Sequence, residues 1–115
     1  MIHQGSCHCG NIRFEVEGEL NAAISCNCSI CVKKGALLWA VPRQNLRLLT
    51  NTNAIERYTF NNHVIAHRFC PVCGIHPFAE DAKPSDEPSA YINIRCLDGA
   101  DLESVEVQEF DGRSM

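Results

Sequence analysis

The residues best suited to chemistry in this sequence are eight cysteines in a chain of 115 residues. They form two pairs, one triplet and one single residue: Cys7/Cys9, Cys70/Cys73, Cys26/Cys28/Cys31 and Cys96. Cysteines one or two residues apart can bring their thiolates to one metal ion at about 2.3 Å. Gly10 and Gly74 directly follow the pairs and supply tight turns, so that backbone N–H groups can point at the sulfurs. The spacing therefore favours metal sites, above all zinc.

Disulfides and iron–sulfur clusters are the alternatives to zinc. An even number of cysteines would suit a small secreted protein. However, Met1–Gly5 has neither the basic nor the apolar region of a secretory signal. Hydrophobic residues make up 45% of the chain, which supports a core without cross-links, and C-x-C pairs do not easily form a disulfide of normal geometry. We therefore expect a cytoplasmic protein with reduced thiols, in which an iron–sulfur cluster is the minor alternative.

Counting ligands divides the cysteines into a complete set and an incomplete one. The two distant pairs form the four-cysteine group: Cys7, Cys9, Cys70 and Cys73. The triplet forms the three-cysteine group: Cys26, Cys28 and Cys31. Four protein ligands are typical of structural zinc, whereas three ligands and an open position are typical of catalytic zinc. In the alternative interpretation the triplet gains a fourth ligand, such as Cys96 or a histidine, and both sites are structural.

The hydrophobic pattern predicts a mostly β fold to position these groups. Apolar and polar residues alternate over 11–17, which is typical of a half-buried strand. Further strands are predicted at 35–41, 55–60, 64–69, 90–95 and 103–110. Asn61–His63 is predicted to form a hairpin turn, Pro42–Leu49 a helical turn, and the proline-containing stretch 81–89 a loop. No segment has the pattern of a long amphipathic helix.

Length and charge limit the classes of protein that fit. The length predicts one domain over residues 1–115. Ten basic and fourteen acidic residues give a net charge of −4, which does not favour nucleic-acid binding. The longest apolar run, residues 36–41, is much shorter than a membrane span. We therefore expect neither a nucleic acid nor a membrane as partner, and the sequence does not predict an oligomeric state.

Three motifs resemble the glutathione-dependent formaldehyde-activating enzyme (GFA) family, also called the centromere protein V family. They are Gly5–Gly10, Cys26–Cys31 and Phe69–Gly74, and the resemblance continues through Ile75–Phe78 and Asn93–Asp98. It implies one GFA-type zinc-binding domain, a β-tent of antiparallel sheets stapled by zinc. It further implies two zinc ions per chain. One would be structural on the four-cysteine group, and the other would be open to a glutathione thiol on the three-cysteine group.

The activity that the resemblance implies is that of a carbon–sulfur lyase-type enzyme. Such an enzyme would join glutathione, or another thiol, to formaldehyde or a small aldehyde and give S-(hydroxymethyl)glutathione. Zinc has no redox chemistry, so an addition fits better than an oxidation. Cys26, Cys28 and Cys31 would then be the catalytic residues. Three thiolates leave the site net negative, and Lys33 and Lys34 could offset that charge, although we expect at least one of them to lie in a solvated turn.

Several other residues could contribute to such a site. His76 could orient a metal ligand or act as a general base, whereas we expect His67 and His63 to be structural. Arg95 could face a substrate carboxylate. Ala79–Asp81 is acidic where relatives often have a Tyr and an Arg-containing stretch, which would suit the carboxylates of glutathione better.

Cys96 belongs to neither cysteine group. It could be a core thiol, a zinc ligand or a redox nucleophile. The last role weakly resembles the B-type methionine sulfoxide reductases, which share a β-tent and a four-cysteine zinc. A non-catalytic, zinc-stapled binding module is the other alternative to the lyase.

Overall fold

The computed structural model describes residues 1–114 and, for Thr52, only the backbone. Its strands are β1 (Ile2–Ser6), β2 (Arg13–Glu17), β3 (Ala22–Cys26), β4 (Leu38–Pro42), β5 (Leu46–Leu48), β6 (Glu56–Tyr58), β7 (Ile65–Phe69), β8 (Phe78–Asp81), β9 (Ser89–Asn93) and β10 (Glu106–Phe110). One short helix, α1, spans Cys31–Lys34. Single 3-10 turns lie at Arg43–Asn45, Thr52–Ala54, Ile94–Cys96, Leu102–Ser104 and Gly112–Ser114.

The strands form two sheets. A three-stranded sheet has the order β1-β2-β5, and a seven-stranded sheet has the order β10-β3-β4-β9-β8-β7-β6. Neighbouring strands are antiparallel except for β3 and β10, which run parallel. The predicted mostly β fold is confirmed. Within residues 1–114, no helix has both the length and the apolar character that crossing a membrane requires.

The main core joins the two sheets. Phe14 and Val16 on β2 are completely buried, as the alternation in the sequence predicts. They share one buried cluster with Phe78 on β8 and Ile92 on β9, and the rings of Phe14 and Phe78 lie 6.3 Å apart. Gly5 on β1 packs so closely that a Cβ atom there would lie 2.8 Å from the carbonyl oxygen of Cys96. A second, smaller buried cluster of Cys7, Ile12, Ile55 and Cys70 lies at the turns that carry the two cysteine pairs.

Each of the six predicted strands overlaps an observed strand but extends beyond it at one or both ends, and side-chain caps explain two of these differences. Residues 94–95 belong to a 3-10 turn because the Asn93 side chain accepts a hydrogen bond from the backbone N–H of Arg95. The side chain of Asp101 caps the turn Leu102–Ser104 in the same way, so β10 begins only at Glu106. Pro42–Leu49 contains the expected turn, at Arg43–Asn45, and then continues as β5.

The predicted turn and loop are observed, but several short strands and the helix are not predicted. Asn61 and His63 have left-handed backbone angles (φ 56° each) in the connection between β6 and β7, as a tight turn requires. Residues 82–88 form the predicted loop, and its expected end residues belong to β8 and β9. The sequence pattern does not predict β1, β3, β5, β8 or α1.

Candidate metal centres

The four-cysteine group is built from two turns of the same design. Cys7 and Cys9 lie in the turn between β1 and β2, and Cys70 and Cys73 lie in the turn that follows β7. In each turn the first cysteine donates its backbone N–H five residues ahead, from Cys7 to Ile12 (3.0 Å) and from Cys70 to Ile75 (2.9 Å). The following glycines, Gly10 (φ 82°) and Gly74 (φ 78°), adopt the left-handed backbone conformation. The structure thus brings these four sequence-predicted residues together.

The sulfur positions in this group suit a tetrahedral metal ion. All four sulfurs lie within 4.8 Å of one another. The Sγ atoms of Cys7 and Cys9 are 3.7 Å apart, and those of Cys9 and Cys70 are 3.6 Å apart. Four sulfurs at about 2.3 Å from a tetrahedral zinc lie about 3.8 Å from one another, whereas disulfide sulfurs lie about 2.05 Å apart. All eight cysteines are free thiols in this structure.

Hydrogen bonds prepare the sulfur of Cys70 to carry negative charge. It accepts the backbone N–H groups of Val72 (3.3 Å) and Cys73 (3.4 Å). Burial alone would raise the pKa of this thiol, but these donors lower it to about 6. At Cys9 an N–H from Asn11 lowers the pKa, but burial and the neighbouring Cys70 sulfur raise it to about 11. Cys9 therefore keeps a proton that a divalent cation would displace. With that proton displaced, the four sulfurs form a set of ligands suited to zinc.

The three-cysteine group lies on a different part of the fold. Cys26 ends β3, Cys28 follows it in a turn, and Cys31 begins α1. Their sulfurs lie within 4.8 Å of one another. Gly35, in the left-handed conformation, ends α1 and donates its N–H to the carbonyl of Cys31 (3.0 Å). Among the residues that the structure describes, no fourth Cys, His, Asp or Glu ligand atom joins this group.

The charges in the three-cysteine group also require a cation. Burial raises the pKa of Cys31 to about 12, and the neighbouring thiols of Cys28 and Cys26 contribute to that increase. At Cys28 burial opposes ionisation, but hydrogen bonds from Cys31 and from the Ile30 backbone lower its pKa. Three thiolates cannot coexist at this spacing without a positive charge. The group is therefore suited to a soft divalent metal.

A cleft of about 520 Å³ lies beside Cys26 and Cys31, and Phe110 at the end of β10 also lines it. The segment after β10 fastens the loop between Cys26 and Cys28. Asn27 donates a side-chain hydrogen bond to Asp111 (2.9 Å) and accepts the backbone N–H of Arg113 (2.9 Å). Gly112 between them comes so close that a Cβ atom would lie 2.7 Å from the sulfur of Cys26. The segment after β10 thus forms part of the wall around this group.

Lys34 contacts two histidines and lies close enough to the three-cysteine group for its charge to interact with that group. Burial lowers the pKa of Lys34, and the charges of Cys31 and Cys28 oppose this larger effect. Its Nζ lies 2.8 Å from Nδ1 of His67 and 3.1 Å from Nε2 of His76. Burial, together with the charge of Lys34, lowers the pKa of each histidine to about 4. We call these three residues the Lys–His–His cluster. The sequence predicts a structural role for His67 and does not predict its contact with Lys34. Lys33, in contrast, is exposed to solvent.

Cys96 stands apart from both cysteine groups. Its thiol points at the carbonyl oxygen of His76 (3.9 Å) and packs against the main core. Burial, together with the charges of Cys7 and Cys73, raises its pKa to about 11. Such a thiol stays protonated at neutral pH, which disfavours the redox-nucleophile alternative.

The acidic residues after Phe78 make their contacts within the sheet. Glu80 accepts hydrogen bonds from Arg43 (3.0 Å) and Arg68 (2.9 Å). Asp81 accepts the backbone N–H of Ser89 (2.8 Å) and the hydroxyl of Tyr91 (3.2 Å). Both carboxylates therefore stabilise the β8 region, Glu80 through two arginines and Asp81 through hydrogen bonds from uncharged groups.

Comparison with known proteins tests the resemblance that the three cysteine motifs indicate. A model of the family described as glutathione-dependent formaldehyde-activating enzyme matches residues 2–110. The chain belongs to this family. A crystal structure of a protein from Rhodobacter sphaeroides is similar to this chain of the GFA family, with 27% sequence identity and a TM-score of 0.77. The match covers 91% of this chain and 99% of the Rhodobacter chain. The resemblance inferred from the three motifs is therefore confirmed.

Family membership and geometry together limit what the two cysteine groups can do. Both groups are compatible with zinc, and both lie within the matched range. The four-cysteine group has a complete tetrahedral donor set. The three-cysteine group has three donors and borders a cleft.

Proposed function

We propose that this protein is a zinc-dependent enzyme of the carbon–sulfur lyase type. It would add a thiol such as glutathione to formaldehyde or another small aldehyde, and with glutathione and formaldehyde the product is S-(hydroxymethyl)glutathione. The observation that carries the proposal is the three-cysteine group, whose three sulfurs lie within 4.8 Å of one another without a fourth ligand from the described residues. Membership of the GFA family supports the choice of substrates.

The two cysteine groups would have different roles, one structural and one in binding the substrate. Cys7, Cys9, Cys70 and Cys73 would hold a structural zinc that fastens the turn after β1 to the turn after β7. Cys26, Cys28 and Cys31 would hold the second zinc. A zinc ion with three thiolate ligands would offer its fourth position to the substrate sulfur and favour its thiolate form.

The chain's own residues would keep this second site rigid. Gly35 ends α1 directly after the turn that carries the third ligand. Asn27, tied to Asp111, restrains the loop between the first two ligands. In the reaction the thiol proton goes to solvent and the sulfur forms a bond to the aldehyde carbon. The electron pair of the carbonyl double bond moves to the oxygen, which takes a proton from water.

The proposal is tested by measuring the exchange between free formaldehyde and its glutathione adduct with 13C NMR. The zinc-loaded protein should accelerate this exchange above the uncatalysed rate. Cys28→Ser should reduce it to the uncatalysed rate, whereas Cys96→Ser, a change outside both cysteine groups, should leave it unchanged. Equal rates with and without the wild-type protein would refute the lyase and favour the zinc-stapled binding module.

A further inference from the structure

Lys34 is placed on the same short helix as a member of the three-cysteine group. It follows Cys31 by three residues, and residues at this spacing lie on one face of a helix, with Cβ atoms about 5–6 Å apart. The side chain of Lys34 is half-buried, whereas that of Lys33 is exposed. A cation removed from water needs hydrogen-bond acceptors, so the partners of Lys34 decide what it can do.

The partners of Lys34 are two neutral imidazoles. Nδ1 of His76 lies 2.7 Å from the backbone carbonyl of Arg68, and because a carbonyl can only accept, Nδ1 carries the proton. Nε2 of His76 therefore has a free lone pair and accepts from Lys34. Nδ1 of His67 accepts a second N–H, and the ring of Phe60 stacks on this imidazole at 5.7 Å.

Lys34 has no acidic partner in the part of the chain that the structure describes. The ion pairs there involve other residues, and Glu80 on β8 is already bound by Arg43 and Arg68. An ammonium group has three N–H donors, of which the two imidazoles use two. The third donor has no protein acceptor among the described hydrogen bonds. A positive charge next to the three-cysteine group thus keeps one hydrogen bond available.

We infer that Lys34 is a catalytic residue that donates this third N–H to the aldehyde oxygen as the oxygen becomes negatively charged. His67 and His76 are then positioning residues that hold the ammonium group in place. The inference rests on the proposed function and names the group that stabilises the oxygen. As the sulfur–carbon bond forms, the carbonyl electron pair moves to the oxygen, Lys34 stabilises that charge while keeping its own proton, and water protonates the oxygen.

The chemistry of the Lys34 ammonium group favours binding to a single oxygen atom over binding to a substrate carboxylate. A carboxylate is bound most specifically by the two parallel N–H donors of an arginine. An ammonium group is a compact point charge, and this one has a single free N–H. Removing one donor of this kind from an oxyanion site typically lowers kcat by about 100-fold or more.

The test compares Lys34→Met with Lys33→Met, a matched change at the exposed neighbour on the same helix. Each zinc-loaded protein is assayed with two thiols: glutathione, which has carboxylates, and 2-mercaptoethanol, which has none. Lys34→Met should lower kcat by about 100-fold with both thiols and leave KM within a few-fold, whereas Lys33→Met should match the wild type. If Lys34→Met does not fold, Lys34→Gln, which keeps an N–H donor at the imidazoles, replaces it.

A second measurement does not depend on turnover. In 15N NMR spectra of the wild type, His76 should be the Nδ1–H tautomer, and Lys34→Met should raise the pKa of both His67 and His76 because a neighbouring positive charge is lost. The opposite tautomer of His76, or histidine titrations that Lys34→Met leaves unchanged, would overturn the inference.

The kinetic outcomes separate this inference from the proposed function. An unchanged kcat in Lys34→Met overturns the inference and leaves the lyase standing. A higher KM for glutathione alone, with normal turnover of 2-mercaptoethanol, also overturns it, because Lys34 would then bind a carboxylate. A wild-type protein without turnover of either thiol overturns the proposed function, and the catalytic role of Lys34 fails with it.

Discussion

Removing one ligand from the four-cysteine group should destabilise the whole fold, whereas the same change in the three-cysteine group should not. Cys70 is completely buried, in a small cluster with Cys7, Ile12 and Ile55. In Cys70→Ser the hydroxyl oxygen can still accept the two backbone N–H groups that the sulfur accepts. The substitution therefore removes chiefly the bond to the metal.

The expected loss follows from the energy of a structural zinc. Such an ion contributes about 10–16 kcal/mol in small zinc domains, so one ligand of four carries about 2.5–4 kcal/mol. A domain of this size has about 5–15 kcal/mol of stability in total. A loss of about 3 kcal/mol should lower Tm by about 10 °C or more. Changing Cys28, which is half-buried and outside both buried clusters, to Ser should cost about 1 kcal/mol or less. The ligands Cys26, Cys28 and Cys31 are close in sequence and can bind zinc in the unfolded chain as well, so this ion adds little to the folding free energy.

The assay is urea unfolding of the wild type, Cys70→Ser and Cys28→Ser at one fixed concentration of free zinc, repeated with an excess of chelator. With zinc, only Cys70→Ser should unfold at a much lower urea concentration. With chelator, the difference between Cys70→Ser and the wild type should largely disappear, because neither retains the ion. Equal midpoints for the two variants in zinc, or a difference that chelator does not reduce, would refute the structural role of the four-cysteine group.

Three further predictions test other parts of the account. Because burial and Lys34 lower the pKa of His67 and His76 to about 4, both imidazoles should stay neutral down to about pH 5. An NMR titration midpoint near the ordinary 6.5 would contradict this. Glu80→Gln should lower the free energy of unfolding by about 2 kcal/mol because two charged hydrogen bonds weaken; urea unfolding measures this, and no loss would contradict it. Gly112→Ala should weaken zinc binding at the three-cysteine group by about tenfold, because its Cβ would lie 2.7 Å from the Cys26 sulfur. Competition with a coloured chelator should show one weakened site of two, and two unchanged affinities would contradict the prediction.

Local sequence patterns predicted the strands that alternate and the two cysteine groups. The alternation of Phe14 and Val16 with charged residues is a local signal, and it placed β2 correctly. By contrast, β1 reads Ile-His-Gln-Gly-Ser, has no alternation, and is a strand because it pairs along its whole length with β2. Short strands of this kind depend on tertiary contacts that a local pattern does not contain.

The Lys–His–His cluster could not be predicted from spacing for a related reason. Lys34 is separated from His67 by 33 residues and from His76 by 42, and no periodicity connects them. The signal that was available is indirect. A lysine follows the last ligand of one cysteine group, and a histidine lies three residues to either side of the Cys70/Cys73 pair of the other. Only the fold shows that these positions meet.

The central claim is that the chain binds two zinc ions and that one of them has a position open to a thiol. X-ray absorption at the zinc edge, combined with the zinc content per chain, tests it most directly. We expect about two zinc ions per chain and an average of about 3.5 sulfur ligands per zinc, rising to about four when glutathione is added. One zinc per chain, four sulfur ligands before the thiol is added, or no change on its addition would contradict the account.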